Sequence, residues 1–197
     1  MYKYLYITTL IFFLSCNNGQ SFNDKPCLDN SCCNFDYEFE EFELFNKNYL
    51  EERDIVYVPD SLKYLNDFLK SNIDKTIVFK KQKYSLHPFK LNSNQQLIIP
   101  NGTYLELDSL ADLPLKGGYL IAAEGSENKR LNNVKIVLDG IIDGNKQIHS
   151  YNKSGNEGIT YRYIDNSVIT GSGVIRNFSG DGIDIDYATK LIINGVK

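Results

Sequence analysis

Near its end the chain reads DGIDID, which sets Asp181, Asp184 and Asp186 close together in a run of β-branched residues. In a β-strand, alternation sends Ile183 and Ile185 to one side and Asp184 and Asp186 to the other. With a rise of roughly 3.3 Å per residue, the two aspartate Cα atoms stand about 6.6 Å apart. Three kinds of chemistry fit such a pair. Two carboxyls about 6.5–9.5 Å apart leave room for the water of an inverting glycosidase. Clustered carboxylates also bind a hard cation such as Ca2+, which could neutralise a uronate. The plainest use is a solvated acidic edge with one surface ion pair, worth at most about 1 kcal/mol.

The elements that position these residues emerge when turn glycines are stacked. QLIIPNGT, KIVLDGII, VITGSGVI and KLIINGVK share an apolar run followed by a polar turn, with Gly102, Gly140, Gly173 and Gly195 spaced 38, 33 and 22 apart. Between them GGYLIAA, EGITYRY and DGIDIDY form a second series on Gly118, Gly158 and Gly182, spaced 40 and 24 apart. Two strand families recurring in one order, with a basic repeat of about two dozen residues, predict a solenoid of short parallel strands. Aligning Gly158 with Gly182 puts Thr160 beneath Asp184 and Arg162 beneath Asp186, about 4.8 Å away, so Arg162 and Asp186 should pair. One turn earlier the Gly118 alignment puts Leu120 and Ala122 in those columns. Tyr161 and Tyr163 fall at inward phase, with Tyr187 above Tyr163, which suits a core ladder better than a sugar platform. His149 lies in the loop inserted between Gly140 and Gly158, where groove-lining residues are often found.

From residue 59 to Lys197 the sequence resembles the start of a right-handed parallel β-helix of the pectin lyase-like superfamily. The residues that carry the likeness are the amphipathic stretch PDSLKYLNDFLKSN, the opening strands TIVFKKQKYSLHPFKLNSNQQLIIPNGTYLEL, and GIIDGN followed by a loop. The resemblance implies an all-β solenoid with a capping α-helix at its N-terminal end. Asp60 or Ser61 should cap that helix, with Leu62, Leu65, Phe68 and Leu69 on its buried stripe and an end near Asn72. By the same register the chain stops at Lys197 with a turn of the solenoid unfinished. DGIDID also resembles the polygalacturonase stretch in which an Asp precedes Gly-Ile-Asp, which gives Asp181 the place of a catalytic aspartate. The Asn-Thr, His-Gly and Arg-x-Lys motifs of that family do not appear here. The implied function is binding or processing of an acidic or neutral polysaccharide. Asp181, Asp184 and Asp186 are the candidate catalytic residues, and Arg162, Thr160 and His149 the candidate substrate-binding ones. The other function class is a non-catalytic solenoid used in adhesion or surface structure.

The remaining sequence concerns address. MYKYLYITTLIFFLSC has a short basic start and an apolar run of signal-peptide length, and Phe13-Leu14-Ser15-Cys16 resembles a bacterial lipobox. Residues 1–15 are therefore expected to be a lipoprotein signal, with Cys16 lipidated and the protein held at a bacterial membrane or cell surface. Residues 16–52 suit a tether, and Cys27 should bridge Cys32 or Cys33 in an exported protein. Residues 53–197 form the domain. With 21 basic against 25 acidic residues the formal net charge is -4, and no basic cluster invites nucleic acid.

Overall fold

The computed structural model describes residues 53–113, 118–149 and 155–197. Cys16, the cysteines Cys27, Cys32 and Cys33, and the proposed tether lie outside them. A first strand, β1 (Ile55–Tyr57), and a short helix, α1 (Asn66–Ser71), precede a repeating path. The chain runs through β2 (Thr76–Val78), β3 (Lys83–Leu86) and β4 (Phe89–Lys90), then through β5 (Gln96–Ile99), β6 (Tyr104–Leu107) and β7 (Gly118–Glu124). A third circuit holds β8 (Leu131–Asn132), β9 (Lys135–Leu138), β10 (Ile141–Asp143), the one-turn helix α2 (Lys146–His149) and β11 (Asn156–Arg162). The last strands are β12 (Ile164–Thr170), β13 (Val174–Arg176), β14 (Ile183–Asp186) and β15 (Thr189–Asn194).

These strands make three sheets, visited in rotation from β2 onward, with β8 and β9 sharing one visit to the first sheet. The first sheet is β1-β2-β5-β9-β12-β15 with β8 beside β12, the second β3-β6-β10-β13, and the third β4-β7-β11-β14. Every strand pairing is parallel. Thr76 pairs with Gln96, Gln96 with Lys135, Lys135 with Val168 and Val168 with Ile192, steps of 20, 39, 33 and 24 residues. The two-dozen repeat is thus the last circuit. Unequal lengths come mostly from the corner between the second and third sheets: residues 87–88 suffice there in one circuit, whereas 144–155 occupy it in another.

Registration turns the apolar positions into columns. Ile77, Leu97, Ile136 and Ile169 stack in the first sheet, and all four are fully buried. Tyr84, Leu105 and Ile142 stack in the second, and Phe89, Ile121 and Ile159 in the third, facing the same core. Three circuits carry an asparagine with φ of 65, 59 and 49° at the first sheet: Asn94 just before β5, Asn133 between β8 and β9, and Asn166 within β12. Asparagine tolerates this left-handed backbone better than other side-chain-bearing residues.

Several expectations need correction. The helix does not start at Asp60 or Ser61; it starts after Leu65, which makes no side-chain cap. Asp60 is drawn off by Lys80, whose Nζ lies 2.7 Å from its carboxylate. Leu65 and Leu69 still enter the core, and the buried Gln95 amide donates to the Leu69 carbonyl at 2.7 Å, fastening the end of α1 to the coil. α2 is a helix the sequence did not announce. Gly118 pairs with Asn156, not Gly158. A Cβ on Gly118 would stand 2.2 Å from the Asn156 side-chain oxygen, so this glycine makes room for an amide instead of marking the equivalent turn. Gly195 similarly follows Asn194, the partner of Thr170, and stacks on Gly171 instead of Gly173.

Two substitutions test this packing. Ile136→Ala should cost about 2–5 kcal/mol in urea denaturation, the range for emptying a closed core site. Gly171→Ala should also destabilise, because its φ of +123° disfavours a side chain and a Cβ would meet the Leu138 carbonyl oxygen at 2.1 Å.

Candidate functional site

The outer face of the third sheet gathers most of the residues singled out by sequence. Thr160 pairs with Asp184 and Arg162 with Asp186, as the Gly158 alignment predicts. Arg162 donates from Nε to Asp186 at 3.0 Å, and its Nη2 stands 2.8 Å from the same carboxylate oxygen. That guanidinium is also 4.0 Å from Asp184 on one side and 4.0 Å from Glu124 on the other. Glu124 is the newcomer: the two-residue correction at Gly118 places it below Arg162 and places Ala122 below Thr160. It receives a 2.6 Å ion pair from Lys90, whose ammonium lies 5.6 Å from the Tyr119 ring centre. Its bond to Glu124 raises the pKa of Lys90 despite partial burial.

Glu157 completes the row, pairing with Tyr119 at the start of β11. Burial and then the nearby Asp184 and Asp181 charges push its carboxyl above the usual glutamate value. Burial and then Asp186 push Asp184 upward, against the opposing pull of Arg162. Asp181 thus belongs to this electrostatic group, although its own side chain is exposed. Thr160 is 4% exposed, and its hydroxyl has no hydrogen-bond partner. Among the described residues, no three imidazole, thiol or carboxyl groups converge to hold a metal ion. On this face the Arg162 guanidinium stands among Glu124, Asp184 and Asp186.

His149 is held elsewhere. Its Nε2 lies 2.9 Å from the Asp108 carbonyl, and its own carbonyl accepts from Asn156 at 3.4 Å, so it ties two corner loops together. Of the tyrosines, Tyr161 is fully buried, as its inward phase requires. Tyr163 departs from that phase because its φ of +50° turns the chain at a corner. Its ring stacks on Tyr187 with centres 4.5 Å apart and planes 7° from parallel.

A second polar group, on the second sheet, went unread in the sequence apart from its GIIDGN turn. The buried Asp143 accepts from Tyr104 Oη at 2.7 Å, Arg176 Nε at 2.9 Å, Asn177 Nδ2 at 2.9 Å and the Asn145 backbone N–H at 3.0 Å. Burial would push this carboxyl up, but the bonds from Tyr104, Asn145, Arg176 and Asn177 outweigh it and hold the pKa low. Four donors converge on this one carboxylate, three of them on Oδ2, which marks a structural clasp. The third-sheet row is different, since it keeps carboxylates in conflict and a hydroxyl without a partner.

No known sequence family matches the chain, and no curated protein matches it by sequence. Among solved structures, a "putative glycosyl hydrolase" from Parabacteroides merdae superposes with a TM-score of 0.52 at 14% identity, over 72% of this chain and 75% of that one. At that identity the likeness is one of fold.

The two carboxylate environments carry opposite pH signatures. Asp143 binds its proton more weakly when folded, so the stability it contributes above its ordinary value of 3.8 is lost as pH falls. Asp143→Asn should therefore lower the melting temperature at pH 7 and matter less at pH 3. Asp184 binds its proton more tightly when folded, so its contribution is fully present below 3.8 and lost as pH rises through the folded value. Asp184→Asn should raise the melting temperature at pH 7 relative to wild type, with the gain shrinking at pH 3.

Proposed function

We propose that this chain is an exported lipoprotein, anchored through Cys16, whose domain is a right-handed parallel β-helix of the pectin lyase-like kind that binds and processes polysaccharide on its third sheet. The observation that carries the reading is the outer row in which Glu124, Arg162 and Asp186 stack in one column beside Thr160 and Asp184 in the next. Rotation through three parallel sheets supports the β-helix, and the glycosyl-hydrolase name of the Parabacteroides merdae neighbour supports a carbohydrate substrate.

Hydrolysis of a glycosidic bond needs one carboxyl to protonate the leaving oxygen and a second to activate water or attack. Asp184 suits the proton donor, because burial and Asp186 favour its protonated form. Asp181, exposed beside it, suits the base. Asp186 holds Arg162 across the row, where the guanidinium can donate to sugar hydroxyls, with the buried Thr160 in the next column. His149 acts through the corner loop and not on the bond that breaks.

A second reading, adhesion without catalysis, has one observation in its favour: Arg162 and Lys90 already spend their charge on Asp186 and Glu124. Incubation with neutral and uronate-containing glycans separates the two. New reducing ends signal hydrolysis, and an unsaturated product absorbing in the ultraviolet signals lysis. Asp184→Asn should then lower turnover by about 100-fold or more, the scale of general acid catalysis, while glycan binding persists. Retained binding with no product from any glycan would favour adhesion. For the anchor, metabolic labelling with an alkyne fatty acid should mark the wild-type protein and leave Cys16→Ser unmarked.

A further inference from the structure

The third-sheet face carries an excess of carboxylates, with aromatic residues at both ends of its strands. Its carboxylates are Glu124, Glu157, Asp181, Asp184 and Asp186, against the cations Lys90 and Arg162. Both cations are committed, Lys90 to Glu124 at 2.6 Å and Arg162 to Asp186 at 2.8 Å. Glu157, Asp181 and Asp184 are left without an equivalent partner, and Arg162 comes no closer than 4.0 Å to Asp184. The upward pKa shifts of Glu157 and Asp184 report the same crowding, after burial as the larger cause. A polymer with a carboxylate on every sugar would add negative charge to a surface that already holds an excess.

Uncharged contacts are provided at both ends of the same strands. Tyr119 stands beside Glu157 where β7 and β11 begin. Tyr163 and Tyr187 directly follow Arg162 and Asp186 where β11 and β14 end. From the level of Glu157 to that of Tyr163 is about 20 Å at the usual strand rise. The far pair is held firmly. Arg130 forms a two-pronged bond to Asp165 at 2.8 Å for each prong, donates to the Tyr187 carbonyl, and places its guanidinium carbon 5.9 Å from the Tyr163 ring centre. Arg130 and Asp165 neutralise each other, and Lys190 adds a cation close enough to Asp165 to favour its ionised form. The φ values of +50 and +54° at Tyr163 and Tyr187 lie in the left-handed region that costs a tyrosine energy. Tyr187 nonetheless remains 66% exposed. Between the two ends lies the Thr160 hydroxyl, buried and without a partner on the face it shares with Arg162. The hydroxyl is closed off from solvent, so a ring hydroxyl satisfies it, as donor or acceptor, only after the side chains over it shift.

We infer that the third-sheet face selects an uncharged hexopyranose chain, seated on Tyr187 and Tyr163 and hydrogen-bonded at Thr160 and Arg162, and disfavours uronate polymers. The inference rests on the polysaccharide reading above and narrows its substrate class.

The test is calorimetric titration of the full chain with gluco-, manno- and galacto-configured neutral hexasaccharides and with a hexagalacturonate. At least one neutral hexamer should bind ten-fold or more tightly than the uronate at low salt, and the gap should narrow as salt screens the carboxylates. Glu157→Gln combined with Asp181→Asn should raise the ratio of uronate to neutral affinity about ten-fold. Tyr187→Ala should weaken neutral binding about ten-fold and Tyr187→Trp should preserve it, both on an exposed side chain that leaves the core intact. Equal or tighter uronate binding, or a Tyr187→Ala variant with wild-type affinity, would overturn this inference and leave the polysaccharide reading standing. No binding of any hexamer would overturn both.

Discussion

Parallel main-chain hydrogen bonding between successive circuits is the constraint on which everything else in this domain depends. Once β11 lies on β7 and β14 on β11, every side chain has a neighbour one circuit away at about one strand spacing. The chain then has only a few ways to fill a column. Inside, it repeats apolar residues, as in Ile77, Leu97, Ile136 and Ile169. Outside, it alternates charge. Lys83 meets Glu106, Arg162 meets Asp186 and Asp143 meets Arg176, each with its register partner or a neighbour one circuit away. Where alternation breaks down, as among Glu157, Asp181 and Asp184, the backbone still holds like charges close together. Such conflict survives because the ladder bonds outnumber it.

Corners obey a different rule. Within a sheet a side chain inherits its direction from alternation, but a left-handed residue resets it. At Asn94, Asn133 and Asn166 this reset serves the chain path itself, and Asn133 donates to Asn94 across one circuit at 3.2 Å. At Tyr163 and Tyr187 the same backbone state turns the chain at the corner that follows the polar row, where the two rings stack on each other under Arg130. The fold therefore uses one local conformation for two ends, one architectural and one that shapes the surface next to the candidate site.

How much of this could be read from the sequence depends on the circuit. Thr160 beneath Asp184 and Arg162 beneath Asp186 were legible because only 24 residues, with no large loop, separate those strands. The circuit before was misread by two residues. A slip of one would have put the apolar positions on the wrong face, whereas a slip of two preserves inside and outside and leaves the hydrophobic pattern blind to the error. That blindness concealed Glu124, which is the lower wall of the row. Gly118 invited the slip, since nothing in its neighbours announces that Asn156 needs the space. Asp60 misled for a related reason: its true partner, Lys80, is distant in sequence, while the helix cap it appeared to supply is a local pattern. Asp143 was the hardest to read, because its ligands come from β6, β13 and two turns, and only the assembled stack brings them together.

The unequal circuits have a consequence for how such a protein changes over time. Between the second and third sheets the chain passes in two residues at 87–88 and in twelve at 144–155, yet the strands on either side keep the same spacing. Loop length at that corner is thus decoupled from the pitch of the polar row. A lineage could lengthen, shorten or replace these excursions without disturbing the alignment of Thr160 with Asp184, so the rim of the surface and its floor are free to diversify at different rates.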